Sequence, residues 1–459
     1  MTHRQQLFYN YLAQTSDFPL ALDIERAEGV YLYGTQGEQY IDFISGIGVS
    51  NVGHRHPKVI AAIQAQLDKY LHLMVYGEYI ETPQVKLAEA LVQTLPHPSP
   101  PCDGPTLLGG ERTPFQQGRG QGVGFNVYFT NSGTEAVEGA MKLAKRYTGR
   151  KEFVSCFNAY HGATQGALSL AGAEFFKRNF RPLLPGVKHI THGSLEDLDK
   201  IGCRTAAVVI EVIGGEAGVR VPDVAYHQAL RQRCTDVGAL LIYDEIQTGF
   251  GRTGTFWAFE QYGVLPDILL TAKGMGGGMP IGAFMAPQHI MSVFKNNPIL
   301  GHITTFGGHP VSCAASLATL EIVQQLLAEG KSQDVPSHFL SFRQQEVSAP
   351  SALAGTLNLD PNKRELAIPT NPIQAKSDLI RSLLIHPKIK EIRGRGLMMA
   401  VEFESFEVLK PIIDRAISRG VITDWFLFCD NSMRIAPPLT ITDEQIHTAC
   451  QIILEAIEG

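Results

Sequence analysis

Apolar residues along the chain follow two different spacings, and the switches between them mark its organisation. Behind Pro57, whose fixed φ suits a first helical turn, Val59, Ile60, Ile63 and Leu67 recur at three- and four-residue intervals and predict a helix to about residue 70. The stretch 84–95 repeats that pattern. Upstream, GVYLYGTQGEQYIDF alternates about a turn at 34–37 and predicts two short strands, with Val30, Leu32, Tyr40 and Phe43 as buried positions. From 126 to about 288 the runs NVYFT, EFVSCF, AAVVIE, ALLIYDE and IGAFMA are apolar on both faces, and helical stretches are expected at 135–147, 225–237 and 310–327. Strands apolar on both faces belong to a sheet covered by helices on each side, so this part predicts βα units around a mostly parallel sheet.

The breaks in periodicity divide the chain. Residues 1–70 are expected to join a smaller unit, 71–330 to form a large domain, and 377–459 to form a compact α+β domain ending in a helix from Asp443. Two stretches sustain no regular element. Residues 97–124 are dense in Pro and Gly and predict a loop insertion; residues 331–376 are polar and irregular, with prolines at 336, 350, 361, 369 and 372, and predict a linker or insertion. There are no internal repeats.

With 44% hydrophobic and 18% charged residues and a mean hydropathy of −0.01, the 459-residue chain can bury a large core. The net charge of −6 makes nucleic acid an unexpected partner. No run approaches the ~20 apolar residues of a membrane span, and MTHRQQLFYNYLAQ lacks the apolar core of a secretory signal, which points to the cytoplasm. The seven cysteines are scattered, without a C-x-x-C, so neither a disulfide framework nor a metal cluster is expected.

Chemistry concentrates in a few segments. In ALLIYDEIQTGFGRTGTF an apolar strand runs into Asp244 and Glu245, placing carboxylates at a strand's carboxyl end, where open α/β sheets bind ligands. In ILLTAKGMGGGMPIGAF a second apolar run leads to Lys273 and a glycine-rich turn that leaves the lysine open to approach. A lysine amine and a carboxylate at neighbouring strand ends are what pyridoxal phosphate chemistry needs: the amine for a Schiff base, the carboxylate to keep the pyridine nitrogen protonated. TNSGTEAVEGAMKLAKRY carries a strand through Ser132, Gly133 and Thr134 into a helix whose first-turn amides can bind an anion, although the same residues read equally as a capping box. FNAYHGAT sets Tyr160 and His161 before a glycine, where an aromatic face can stack on a planar ring.

Taken together with IDFISGIGVSNVGHRHP, EVIGGEAGV, TTFGGHPVSCAA, RGRGLMMAVEF and MRIAPPL, these segments make the chain resemble, over most of its length, the class III aminotransferases of the acetylornithine, ornithine and 4-aminobutyrate type. The resemblance implies the fold type I architecture of pyridoxal 5'-phosphate enzymes: a large domain with a mostly parallel, seven-stranded type of sheet and a smaller α+β domain. It implies that Lys273 is the catalytic Schiff-base lysine and that Asp244 pairs with the pyridine nitrogen. Ser132, Gly133 and Thr134 would cradle the phosphate, Tyr160 would stack on the ring with His161 beside it, and Ile246 would pack on the ring. Gln247 would lie near the 3′-oxygen, supported by Glu211, while Thr305 would reach the phosphate of a neighbouring subunit's cofactor, so that a homodimer is implied. Arg434 would grip a substrate carboxylate, with Glu216 able to pair with that arginine or release it; planar bidentate recognition suits arginine to the task. Ile47 would contact substrate.

The sequence departs from the resemblance at informative places. Ala163 stands where the ornithine and acetylornithine enzymes typically carry an arginine for a second carboxylate, Ile47 where the ornithine enzymes have tyrosine, and Val212 where proline is common. Arg252, Arg393, Arg395 or a basic residue of the neighbouring subunit are candidate substitutes for the missing arginine. The expected activity is transfer of an amino group from an amine-bearing acid (acetylornithine, 4-aminobutyrate or another ω-amino acid) to a 2-oxo acid by a ping-pong mechanism. Glutamate-1-semialdehyde mutase-like or racemase chemistry, or a non-catalytic cofactor-binding scaffold, are the competing readings on the same fold. A nucleotide-binding loop is excluded, because Gln325 stands where a P-loop ahead of Gly330-Lys331-Ser332 needs glycine.

Overall fold

A computed structural model describes residues 2–96, 124–329 and 371–459. The composition-based insertions at 97–124 and 331–376 lie almost wholly outside these residues, as does Cys102. Three strands open the chain: β1 (Ile24–Glu28), β2 (Tyr31–Gly34) and β3 (Gln39–Asp42). Seven follow: β4 (Phe125–Thr130), β5 (Glu152–Cys156), β6 (Val187–Ile190), β7 (Thr205–Glu211), β8 (Leu240–Asp244), β9 (Ile268–Thr271) and β10 (Gly282–Pro287). The last are β11 (Glu391–Arg395), β12 (Met398–Glu402), β13 (Val421–Ile422), β14 (Trp425–Phe426) and β15 (Cys429–Ile435).

The middle group makes one seven-stranded sheet in the order β4-β10-β9-β8-β7-β5-β6. Its strands from β5 to β9 pair in parallel, while β10 runs antiparallel to both β4 and β9. The continuous apolar runs are therefore covered on both sides: every residue of β7, β8 and β9 is buried. Buried side chains such as Val208, Val209 and Ile210 each contribute on the order of 1.5–3 kcal/mol. The strand β6 is absent from the sequence expectations because VKHI is short and carries two polar residues, so it shows no apolar run.

One face of the sheet is covered by the helix Gly133–Thr148, which begins at Ser132, whose side chain accepts from the Glu135 amide at 3.4 Å, and stops at Gly149 in the left-handed conformation. Its buried residues Val137, Ala140, Met141 and Ala144 pack with Val209, Ile242 and Leu270. The other face is covered by the helices Pro57–Leu67, Thr82–Gln93 and Pro310–Ala328, all near the expected positions. Pro310–Ala328 is long and apolar enough to cross a bilayer, which corrects the expectation that no run approaches that length; its buried face packs in the central core through Cys313, Ala315, Leu320 and Val323.

Antiparallel strands in the order β11-β12-β15-β14 form a second sheet, and β1-β2-β3-β13 a third, with β13 parallel to β3. Val30, Ile41 and Phe43 share a core with the C-terminal helices, whereas Val52 and Val59 pack under the central sheet. The helix at 57–67 thus belongs with the large sheet rather than with residues 24–43. The helix Pro372–Leu383 opens inside the stretch read from composition as irregular, because Asn371 caps it and Pro372 supplies the first turn.

The two regions meet where Leu397 donates its amide to the Arg252 carbonyl at 3.0 Å. Next to it Gly396 has φ +51°, and a Cβ there would lie 2.6 Å from the carbonyl carbon of Thr253. Gly396→Ala is therefore expected to cost about 2 kcal/mol or more in urea unfolding, from backbone strain together with the clash.

Candidate active site

The candidate residues come together at the carboxyl ends of the central strands. β4 runs out at Thr130 into the turn to helix Gly133–Thr148, β7 ends at Glu211, β8 at Asp244, and β9 ends two residues before Lys273. Glu211 and Asp244 are register partners on adjacent parallel strands, so their carboxyls arise side by side. Loops after these strands close a cavity of about 490 Å³. Ser132, Gly133, Thr134, Tyr160, His161 and Glu211 line it, as do Glu216, Asp244, Ile246, Gln247 and Lys273.

Buried charge dominates the floor. Asp244 is 4% exposed; one of its oxygens accepts from the Ile246 amide at 3.0 Å and the other lies 2.7 Å from His161 Nδ1. Burial works against a charged His161 ring, but the hydrogen bond to Asp244 and the charges of Asp244 and Glu211 outweigh it and raise the histidine's pKa. His161 Nε2 is buried without a partner. Glu211 is pushed up to about 7, first by burial and then by Asp244, although the Gly215 amide donates to it at 3.1 Å. The neighbouring Glu245 points elsewhere: it accepts from Thr248, Ala258 and Phe259 at 2.6–3.0 Å and anchors the loop that carries Gln247, with burial raising it to about 7.

The anion-binding end is built from close backbone approaches. Helix geometry leaves the Gly133 and Thr134 amides without intrahelical acceptors, and both residues line the cavity. A Cβ on Gly133 would press on Ile246 at 2.8 Å. Gly162 sits at φ +131°, where a Cβ would collide with Thr134. Tyr160, beside it, is 39% exposed on the cavity wall, and its amide donates to Glu211 at 3.4 Å.

Lys273 opens a 3₁₀ turn at φ +44°, a conformation a lysine holds only when its surroundings force it. It keeps some surface toward the cavity but is otherwise enclosed, and burial lowers its pKa; Glu216, Asp244 and Glu211 oppose that shift and Arg434 adds to it. Arg434 itself is 3% exposed and does not line the cavity. Its Nη1 and Nη2 donate to the two oxygens of Glu216 at 2.9 and 3.0 Å, and its guanidinium lies 4.4 Å from the centroid of the Phe426 ring. Its Nε donates to Asp424 at 2.8 Å. Burial opposes ionisation of Glu216, yet Arg434 and the Leu427 amide hold its pKa below the ordinary value.

Besides Arg434, two expected site residues lie outside the cavity wall of this single chain. Thr305 is exposed, with its carbonyl accepting from His72 at 2.8 Å. Ile47 is 36% exposed at φ +64°, strained for a β-branched residue; its neighbour Val49 lines the cavity instead. None of Arg252, Arg393 and Arg395 lines it either. Arg252 is fully buried against the Leu397 and Pro437 carbonyls and Asn51, and Arg393 is held by Glu391, Glu402 and the Gly218 carbonyl. Sequence reasoning missed Asp424, whose one signal was an acid inside the short run VITDW, and missed Asn131 and Thr248 on the wall. Among the described residues, no group of His, Cys, Asp or Glu is arranged to hold a metal ion.

A family model for class III aminotransferases matches residues 11–345 and 373–457. The chain belongs to the class III aminotransferases. The break at 346–372 falls within the second irregular stretch. This class III chain is 38% identical over 426 residues to a putrescine aminotransferase of Pectobacterium atrosepticum, covering 90% of the chain and 77% of that relative. An ornithine aminotransferase of Toxoplasma gondii, with pyridoxal phosphate at partial occupancy in its active site, superposes with a TM-score of 0.78 at 26% identity over 99% of this chain and 93% of the other. An aminotransferase of Bacillus anthracis superposes equally well, with a TM-score of 0.78 over 100% and 99% of the two chains, at 24% identity, a likeness of fold. As a member of the class, the protein is a pyridoxal phosphate-dependent aminotransferase of fold type I, taking an amino donor and an oxo acid acceptor.

The buried Arg434–Glu216 pair carries a stability consequence. Glu216→Gln is expected to lower the unfolding free energy at neutral pH by about 1–3 kcal/mol, less than for a buried pair broken outright because Asp424 stays on the arginine. Glu216 has a folded pKa below its unfolded one, so its contribution is complete above the ordinary glutamate pKa of about 4.3 and disappears as pH falls through the folded value. Urea unfolding of the two proteins across this range should show the difference shrinking toward acid.

Proposed function

We propose that this aminotransferase takes a terminal amino group from an aliphatic donor of the ω-amino acid or diamine type and passes it to a 2-oxo acid, in a ping-pong sequence through the one cavity. The observation that carries the reading is the enclosure of Lys273 in the same cavity as Asp244, at neighbouring strand ends. The putrescine and ornithine aminotransferases among its relatives act, by their names, on substrates that bear a terminal amine, which supports the donor class.

The residues present fit the cofactor. The helix amides of Gly133 and Thr134 with the Ser132 hydroxyl suit its phosphate, and the Cβ-free approach at Gly162 leaves room beside them. When bound, pyridoxal phosphate supplies an aldehyde that amines exchange on and a ring that withdraws electrons from the amine-bearing carbon. Asp244, braced by His161 and the Ile246 amide, would hold the proton on the ring nitrogen. Tyr160 and Ile246, both on the cavity wall, would pack on the ring, and Gln247 with Glu211 would serve the 3′-oxygen. Lys273 would hold the aldehyde and would take the proton from the donor carbon at Nζ; burial lowers the pKa of that nitrogen from the ordinary lysine value of about 10.4, in the direction a general base needs.

The substrate carboxylate is assigned to Arg434 after Glu216 lets go, and Ile47 to the cavity mouth beside Val49. Thr305 is assigned to the phosphate of a neighbouring copy. A dimer interface at that edge is supported by exposed apolar side chains, Ile80 at 95%, Tyr79 at 54% and Phe306 at 54% exposure. The six free cysteines among the described residues fit a reducing, cytoplasmic setting.

Two outcomes test the assignment. Borohydride reduction of the holoenzyme followed by peptide mass analysis should find the cofactor fixed to Lys273; Lys273→Ala should fold, with unchanged thermal unfolding, and carry no fixed cofactor, and attachment at another lysine would sink the reading. Gly162→Ala should weaken pyridoxal phosphate binding by about tenfold or more, the ratio that 1.4 kcal/mol of strain produces, as measured by equilibrium titration.

A further inference from the structure

Arg434 is bound by more negative charge than it can neutralise. Glu216 takes both terminal nitrogens, and Asp424 independently takes Nε at 2.8 Å, so two carboxylates face one guanidinium. Glu216 and Arg434 sit deep, with side chains 8% and 4% exposed, and Asp424 is part-buried at 24%. Asp424 is also locked by its backbone, with its carbonyl accepting the Arg434 amide at 2.9 Å and the Thr423 hydroxyl donating to the Arg434 carbonyl at 2.7 Å. The other nearby cation, Lys273, is the amine that holds the cofactor.

The three groups differ in where they face. Glu216 lines the cavity, whereas Arg434 and Asp424 do not. A donor with a carboxylate tail must expel Glu216 to reach the guanidinium, and finds its charge already matched by Asp424, which stays on Nε. A donor with an ammonium tail meets Glu216 in place, in front of a cluster carrying one net negative charge. At such short range and partial burial the sign of this excess charge weighs on affinity far more than at an exposed site.

We propose that Asp424 is a specificity-determining residue that biases the cavity toward donors whose far end is cationic, diamines above ω-amino acids, by holding the charge of Arg434 in check. The inference rests on the transamination reading above and names the donor class within it. Asp424 acts through Arg434 and touches no reacting atom, so its signature is selectivity by tail charge rather than loss of turnover.

The test uses the holoenzyme without oxo acid, because an acceptor's carboxylate would meet the same arginine. The donor half-reaction is followed by the absorption of the bound cofactor with three amines of one chain length: 1,4-diaminobutane, 4-aminobutyrate and butylamine, whose tail is neutral. In the unmodified protein the half-reaction kcat/KM should fall in the order diamine, butylamine, 4-aminobutyrate. In Asp424→Asn, of nearly the same size and still able to accept from Nε, the ratio of diamine to 4-aminobutyrate should drop by about tenfold, corresponding to ~1.4 kcal/mol, with each measured against butylamine in the same variant. Asp424→Glu should restore a preference for the diamine. A ratio that does not change in Asp424→Asn, or parallel loss with all three amines, would overturn the proposal. So would an unmodified enzyme that favours 4-aminobutyrate over the diamine, an outcome independent of whether any variant folds. If none of the three amines alters the cofactor of the unmodified protein, the transamination reading fails and this inference falls with it, whereas active enzyme with unbiased ratios overturns this inference alone.

Discussion

Glu211 and Asp244 project from paired residues at the ends of adjacent parallel strands, both nearly enclosed, and two carboxylates so placed cannot both keep their charge cheaply. Much around the cavity answers that constraint. His161 sits 2.7 Å from Asp244 with a raised pKa, so the pair can share a proton without solvent. Glu211 is held near neutrality, at about 7, and takes an amide from Gly215. The lysine is brought to the next strand end, where those same carboxylates temper the loss of its proton that burial drives. The parallel sheet makes the arrangement possible: β7, β8 and β9 are buried on both faces, so their shared carboxyl edge is where polar groups can emerge.

A second electrostatic cluster reaches the cavity through Glu216. Arg434 reaches it from β15, while Glu216 comes from the loop after β7 and Asp424 from just before β14, so the guanidinium joins the small sheet to the large one. This chain differs from family members that carry an arginine after the aromatic-x-Gly triplet: Ala163 lines the wall here, none of Arg252, Arg393 and Arg395 does, and Arg252 and Arg393 are held by carbonyls and carboxylates of the fold.

The elements that the sequence made legible are those whose signal is local. ALLIYDE could be read as a buried strand with its acid at the end because seven consecutive residues show it, and the helix after Ser132 because cap, apolar stripe and closing glycine all agree. Lys273 was readable from the glycines behind it. VKHI was not, since a four-residue edge strand with two polar side chains carries no periodicity. Asp424 was opaque for another reason: its partner lies ten residues on across a strand pair, and its role depends on Glu216, more than two hundred residues away, so nothing short-range announces it. The strained φ of Ile47 and of Lys273 likewise arises from tertiary contacts that no propensity contains.

The central claim is that amine nitrogen passes through this protein rather than being released by it. Holoenzyme incubated with an isotopically labelled aliphatic amine and no acceptor, then freed of small molecules, should retain one labelled nitrogen per chain, and a 2-oxo acid added afterwards should leave with that label as an amino acid. Label appearing as free ammonia, or none retained by protein that still carries its cofactor, would contradict the account.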